Sequence, residues 1–399
     1  MKNTQVIQLM SIVRLSIFML GITMMSCNSK KGQQLPAIGK SVALFDYFSY
    51  KGNDDFYISN PLSDEDYFYN PILPGWYSDP SVCTNGEGDY FLVTSTFTYF
   101  PGIPIFHSKD LVNWKQIGHV LNRASQLVNM EGQKVSGGIF APAISYNPYN
   151  KTYYMVTTNV GAGNFFVKTQ DPFGEWSEPI MLPEVGGIDP SFFFDEDGKA
   201  YIVNNDEAPD NKPEYSGHRT IRIQEFDVKT DKTIGPRKIL VNKGAQPADK
   251  PIWIEGPHLY KINGKYFLMS AEGGTGNWHS EVIFRGDSPM GKFLPWKNNP
   301  ILTQRHLNSD RPNSVTCAGH ADLIQTKERD WWAVFLACRP IYNQFENLGR
   351  ETFMMPVKWS EDGFPYMTQG DDLVPMIVKR EGVKRDTTVT YGNFELIAN

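Results

Sequence analysis

The chain has 399 residues, 38 basic and 44 acidic, giving a net charge of −6 with no basic stripe, which argues against a nucleic-acid partner. Aromatics make up 13%, and glycine and proline number 34 and 27, so a substantial core with frequent turns is expected and disorder is not. Beyond the first 26 residues no apolar run approaches the ~20 residues that a bilayer helix needs. Collagen, coiled coil, polytopic membrane protein and disulfide scaffold are all excluded.

The first feature in chain order is an address. Lys2 and Arg14 precede the apolar stretch 15–25, and Ser26 and Cys27 follow it, the charged, apolar, small-residue order of a secretory signal. A cysteine directly after the small residue resembles a bacterial lipoprotein cleavage site. Cys27 would then be the lipidated first residue, and the protein would be held at the bacterial cell envelope by an anchor in the membrane. An ordinary signal peptide with an incidental cysteine, or a short membrane anchor, is the alternative. This reading divides the start into a signal peptide over 1–26, a tether over 27–40 and an acidic, aromatic-rich extension over 41–70. The extension, with Tyr47, Phe48, Tyr57 and Tyr67, is expected to pack on the domain that follows. Cys83, Cys317 and Cys338 remain, none in a C-x-x-C spacing. They are expected to be buried free thiols, with a Cys317–Cys338 disulfide as the alternative.

The middle of the chain repeats. Five segments carry a polar turn, one or two aromatics and an alternating apolar run: 88–94, 151–157, 198–204, 264–270 and 329–335. Each follows a second element by a few residues: Asp79-Pro80, Ala141-Pro142, Asp189-Pro190, Glu255-Gly256-Pro257 and Gly319-His320-Ala321. With Asp79, Ala141, Asp189, Glu255 and His320 as equivalents, the intervals are 62, 48, 66 and 65 residues. Strand-rich, turn-rich units of this length are the mark of propeller blades, and no long stretch shows a helical apolar period. The expected fold is therefore all-β, a five-bladed β-propeller over 71–367. An accidental echo in a β-sandwich is the weaker alternative. Residues 368–399 read as a linker, or as the start of a further β-sandwich.

The second element of each unit begins the innermost strand, so residues there converge on the axis. Three of the five equivalents are acids, Asp79, Asp189 and Glu255, from the first, third and fourth units. A lone Asp-Pro is mostly a turn former; equivalence across a repeat is what singles these out. The chain has no G-x-S-x-G elbow, no H-E-x-x-H and no phosphate loop. Converging carboxylates without a metal motif point to glycoside hydrolysis, in which one acid protonates the leaving oxygen and a second carboxylate activates water or attacks the sugar.

The stretches 75–81, 187–191, 254–258, 318–323 and 349–353, together with 97–104 and 108–114, resemble glycoside hydrolase family 43, in its β-xylosidase and α-L-arabinofuranosidase branch. The resemblance runs from about residue 70 to 367. It implies a five-bladed propeller, hydrolysis with inversion, and no required cofactor. By position it implies Asp79 as general base, Glu255 as general acid and Asp189 as the residue that raises and aligns the acid. It implies that Arg350 binds sugar hydroxyls and that His320 is a channel histidine beside a water or a calcium ion. Trp76, Phe97 and Phe140 are candidates to stack on the sugar, against the alternative of core packing. The remaining histidines (107, 119, 218, 258, 279 and 306) show no ligand spacing and read as structural. The substrate implied is a xylo- or arabino-oligosaccharide trimmed from its end. A carbohydrate-binding propeller without catalysis is the second reading, which the intact acids disfavour.

Overall fold

The computed structural model describes residues 49–51, 55–340, 345–346, 349–382 and 393–395. The signal sequence, Cys27, the tether, Tyr47 and Phe48 lie outside them. Among the described residues no helix is long and apolar enough to cross a membrane. Two compact units are present. The smaller contributes one described feature, an antiparallel pair of Ser49–Lys51 with Asn393–Glu395.

The larger unit is a five-bladed β-propeller. Blade 1 is Ser81–Thr84, Tyr90–Val93, Gly102–Ser108 and Lys115–Leu121. Blade 2 is Ile139–Asn147, Thr152–Asn159, Gly163–Thr169 and Ile180–Met181; blade 3 is Ile188–Phe194, Ala200–Glu207, Arg219–Asp227 and Lys232–Asn242. Blade 4 is Glu255–Ile262, Lys265–Glu272, Ser280–Gly286 and Leu294–Pro295, with Leu302–Thr303 also pairing the third strand. Blade 5 has three strands, Thr316–Gln325, Trp331–Cys338 and Glu351–Pro356. The inner strands neighbour one another in chain order, and the fifth returns to the first.

The aromatic repeat segments form the second strand of each blade, and their alternation explains the stacking. Successive side chains of a strand point to opposite faces, and a blade has a neighbour on each face. In Thr152–Asn159, Tyr153 and Met155 enter a cluster with Phe91, Val93 and Ile105 of blade 1. Tyr154 and Val156 enter another with Phe192 and Ile202 of blade 3. Blade 5 does the same, with Val334 towards blade 1 and Phe335 towards blade 4. The described core accordingly divides into five apolar clusters, one per interface between blades.

The ring is stitched shut by the chain that enters blade 1. Leu73 and Thr352 exchange both backbone hydrogen bonds at 3.2 Å. The Asn70 amide donates to the Met354 carbonyl and accepts from the Met354 N–H, both at 2.9 Å. The outer strand of the three-stranded blade thus gains a partner from the far end of the sequence, and its edge is covered. The propeller body also extends beyond the expected 71–367. Tyr67–Tyr69 pairs with Ile377–Lys379, and Phe68 and Val378 are buried with the cores of blades 1 and 5. Tyr57 packs as expected of the extension: its hydroxyl donates to Asn70 O at 3.0 Å and accepts from Arg339 at 2.9 Å.

Candidate active site

Each inner strand has a left-handed residue at the equivalent point near its start. The φ angle is +53° at Asp79, +33° at Ala141, +53° at Asp189, +53° at Gly256 and +53° at His320. In the first four the next residue is proline, which keeps the preceding residue out of the ordinary helical region. The inner-strand ladder slips at these points in blades 2 to 5. Such bulges re-aim a side chain where a strand would not, and non-glycine residues at positive φ are strained conformations that concentrate at functional sites. The structure therefore corrects the sequence register in blade 4. The residue equivalent to Asp79 and Asp189 is Gly256, and Glu255 stands one position earlier.

The displacement has a local cause. A Cβ on Gly256 would lie 2.8 Å from His320 Nε2, so blade 4 leaves its bulge position bare and the imidazole of blade 5 occupies the space. With no side chain of its own to offer there, Gly256 uses its N–H, which donates to Asp189 Oδ2 at 3.1 Å. Glu255 becomes the carboxyl of that blade.

The three acids have different surroundings. Asp79 is buried. Its Oδ2 accepts from Ser95 Oγ at 2.5 Å and Ser78 Oγ at 3.2 Å, and its Oδ1 lies 3.3 Å from Arg350 Nη1 and 3.9 Å from His320 Nδ1. Burial alone would raise this carboxyl, but Arg350, His320 and the two hydroxyls together hold it below the ordinary range. Asp189 is pushed up to about 7 by burial and then by the charge of Asp79, against the Gly256 N–H and Arg350. Glu255 is only partly buried, and its carboxyl has no hydrogen-bond partner among the described residues. It is raised well above the ordinary range by desolvation and then by Asp189 and Asp79. A pocket with one carboxyl held ionised and another held protonated can deliver a base and an acid to one substrate.

Arg350 also lies over the Phe97 ring, 5.4 Å from its centroid. The three predicted aromatics do come together: Phe97 meets Trp76 at 5.8 Å and Phe140 at 5.6 Å, edge to face. Their exposures differ. Phe97 is 5% exposed, so it buttresses its neighbours and Arg350 and leaves almost no face for a ligand. Trp76 is 52% exposed and keeps a free face. A cavity of about 440 Å³, lined in part by Trp76, Ser95, Tyr99 and His119, opens beside the hydroxyl that holds Asp79.

His320 is buried, and burial pulls its imidazole down to about 4, which leaves it neutral. Calcium takes six to eight oxygen ligands, waters among them, and the protein groups around His320 offer few free oxygens. The carboxyls of Asp79 and Asp322 are already engaged, Asp322 by Ser81 Oγ at 2.7 Å, Tyr260 OH at 2.7 Å and the Val82 N–H at 2.9 Å. Glu281 accepts from the Ala321 N–H at 2.9 Å and leaves one oxygen without a partner. One imidazole and one carboxyl oxygen suit a water. The three described cysteines are buried free thiols. Cys317 and Cys338 lie beside Glu346, with no bond between the sulfurs.

One site residue escaped the sequence reading. Ser95 accepts from the Ala141 N–H at 2.7 Å while donating to Asp79, so it links that carboxyl to blade 2. His279, read as structural, is buried: its Nδ1 is 2.8 Å from Cys317 O, and its ring fills the space a Cβ on Gly319 would need. Glycine at 319 therefore lets the fifth inner strand settle over His279.

Three carboxyls of divided acidity, carried at the inner strands of blades 1, 3 and 4, and an arginine beside Asp79 make up the site. A model of the glycosyl hydrolases family 43 matches residues 68–365, and the chain belongs to that family. It is 46% identical over 304 residues to a xylosidase/arabinosidase of Butyrivibrio fibrisolvens, covering 75% of this chain and 56% of that protein. It is 42% identical over 305 residues to a non-reducing end alpha-L-arabinofuranosidase of Bacteroides ovatus, covering 75% of this chain and 53% of the other. Among solved structures, a GH43_12 protein from a capybara gut metagenome superimposes with a TM-score of 0.80 at 50% identity, covering 88% of this chain and 65% of that one. The chain spans about half the length of the curated relatives it matches.

Proposed function

We propose that the chain is an inverting, exo-acting glycoside hydrolase that releases xylose or arabinose from xylo- or arabino-oligosaccharides. The observation that carries the reading is the grouping of Asp79, Asp189 and Glu255 at the inner strands, with Arg350 3.3 Å from Asp79 and the Gly256 N–H on Asp189, in which Asp79 is lowered and Glu255 raised. Asp79 accepts a proton from water on one face of the sugar, while Glu255 donates its proton to the departing oxygen on the other. Arg350 keeps Asp79 ionised and offers its remaining N–H groups to sugar hydroxyls. Trp76 provides an apolar face at the mouth. No step requires a cofactor. Lipid attachment at Cys27, with the propeller displayed at the cell envelope, belongs to the same proposal.

The reading is tested with nitrophenyl β-xyloside and nitrophenyl α-arabinofuranoside, following the first turnovers by proton NMR. The expected result is hydrolysis of at least one, with the opposite anomer appearing first. A retained anomer would mean a covalent intermediate and would remove Asp79 from the role of base. No turnover of either glycoside would leave binding as the function.

Asp189 gives a second expected result. In the wild type its ionisation at about 7 places a negative charge near Glu255 and delays loss of the acid's proton. In Asp189→Asn that charge is absent, so Glu255 deprotonates at lower pH. The basic limb of the kcat/KM profile should move towards acid, and an unmoved limb would show that Asp189 does not tune the acid.

A further inference from the structure

A second cavity, of about 420 Å³, lies on the rim of blade 4 outside the pocket just described. Its walls include Gln246, Asp249, Ile252, Glu272, Trp278 and Arg305. The position is fixed by the strand pair that carries the acid. Glu255 pairs with Ala271, and beyond them the Gly273 N–H donates to Ile252 O at 2.9 Å. Ile252 is three residues from Glu255, a backbone span of at most about 10 Å.

The lining is a built arrangement. Glu272 is 7% exposed, and its Oε2 accepts the Ala245 N–H at 3.2 Å. Gly244 lets the chain wrap that carboxyl: its φ is +139°, and a Cβ there would lie 2.5 Å from Glu272 Oε2. Burial raises the Glu272 carboxyl, against the Ala245 N–H and Arg305. Trp278 is 71% exposed, the most of any large apolar residue described. It is nevertheless held in place, because Gly273 at φ +95° admits the Trp278 carbonyl and the next residue, His279, is fully buried. Trp253, 45% exposed, lies against Gly274 on the same rim. The charged groups are mixed, with Asp249 opposing Lys250 and Arg305, so no net field favours an anion.

An indole face beside paired donors and acceptors matches a neutral sugar, whose C–H face stacks while its hydroxyls take a carboxyl and a guanidinium. We infer that this cavity is a subsite for a further sugar unit of the oligosaccharide, on the leaving-group side of the bond that is cut. The side follows from the acid: in the function proposed above Glu255 protonates the departing oxygen, and the cavity wall at Ile252 is three residues from it on the same blade. This rests on the hydrolytic function proposed above.

The test compares two substrates and adds a binding measurement. Trp278→Ala and Glu272→Gln are assayed on a nitrophenyl pentoside and on a xylo- or arabino-oligosaccharide of five units. The ratio of kcat/KM for oligosaccharide over nitrophenyl glycoside should fall on the order of tenfold in Trp278→Ala, the loss typical of a buried aromatic contact. The change should reside in KM, and Trp278→Phe should restore most of it. An unchanged ratio would overturn the subsite. Calorimetric titration of the pentasaccharide into Glu255→Ala, with and without Trp278→Ala, reads the site without turnover. Weaker binding in the double variant supports the subsite even where hydrolysis itself has failed; equal binding rejects it.

Discussion

Replacing Glu255 by alanine should abolish hydrolysis of natural oligosaccharides while sparing much of the activity on dinitrophenyl glycosides. A sugar alkoxide is a poor leaving group and needs the proton that the raised Glu255 carboxyl retains. A dinitrophenolate is stable as an anion and scarcely needs it. Asp79→Ala should damage both reactions, since water must be activated whichever group departs. General acid or base help is worth roughly 10²–10⁴-fold, so the two variants separate well above assay error. Equal losses on both substrates in Glu255→Ala, with the circular dichroism spectrum intact, would reject Glu255 as the acid.

Gly256→Ala should be far more harmful than a glycine substitution of the same backbone class elsewhere. Gly264 has φ +75° with nothing near its missing Cβ, whereas Gly256 has φ +53° with His320 2.8 Å from that point. Both alanine variants incur the left-handed backbone cost of roughly 1–2 kcal/mol. Only Gly256→Ala must also displace a buried imidazole, which adds roughly 1–3 kcal/mol of overpacking. Because that imidazole lies 3.9 Å from Asp79, kcat/KM should fall with stability, whereas Gly264→Ala should lose stability alone. Urea unfolding and kinetics on both variants decide the matter. Matching losses would show that the fit of His320 over glycine carries no function.

The blades were legible because their physics is periodic. A second strand buried on both faces needs an apolar side chain at every position, and five such runs after turn residues can be counted in the sequence. The acids were legible because Asp79 and Asp189 stand at the same point of a repeat and Glu255 stands one residue before it. The one-residue error in blade 4 arose from aligning charge with charge. The prolines held the better register: Pro80, Pro142, Pro190 and Pro257 each directly follow the left-handed residue, and counting back from Pro257 gives Gly256. Ser95 carried no such signal. A serine at a strand end gains meaning only once distant strands meet. Phe97 stayed open between stacking and packing for a related reason, since an aromatic in a motif shows that a ring is needed without showing which of its faces is covered.

The stitch that closes the ring has a consequence for when the protein becomes able to act. Asp79 and the Arg350 guanidinium that keeps it charged belong to blades 1 and 5, 271 residues apart, and Ser81 reaches Asp322 across the same seam, 241 residues away. Contacts so distant in sequence close the longest loops and are the slowest kind to form. Four blades can stack in order from local pairings and still present an Asp79 without its arginine. Catalytic competence is thus a property of the finished circle, and it arises at the moment the two ends of the propeller meet.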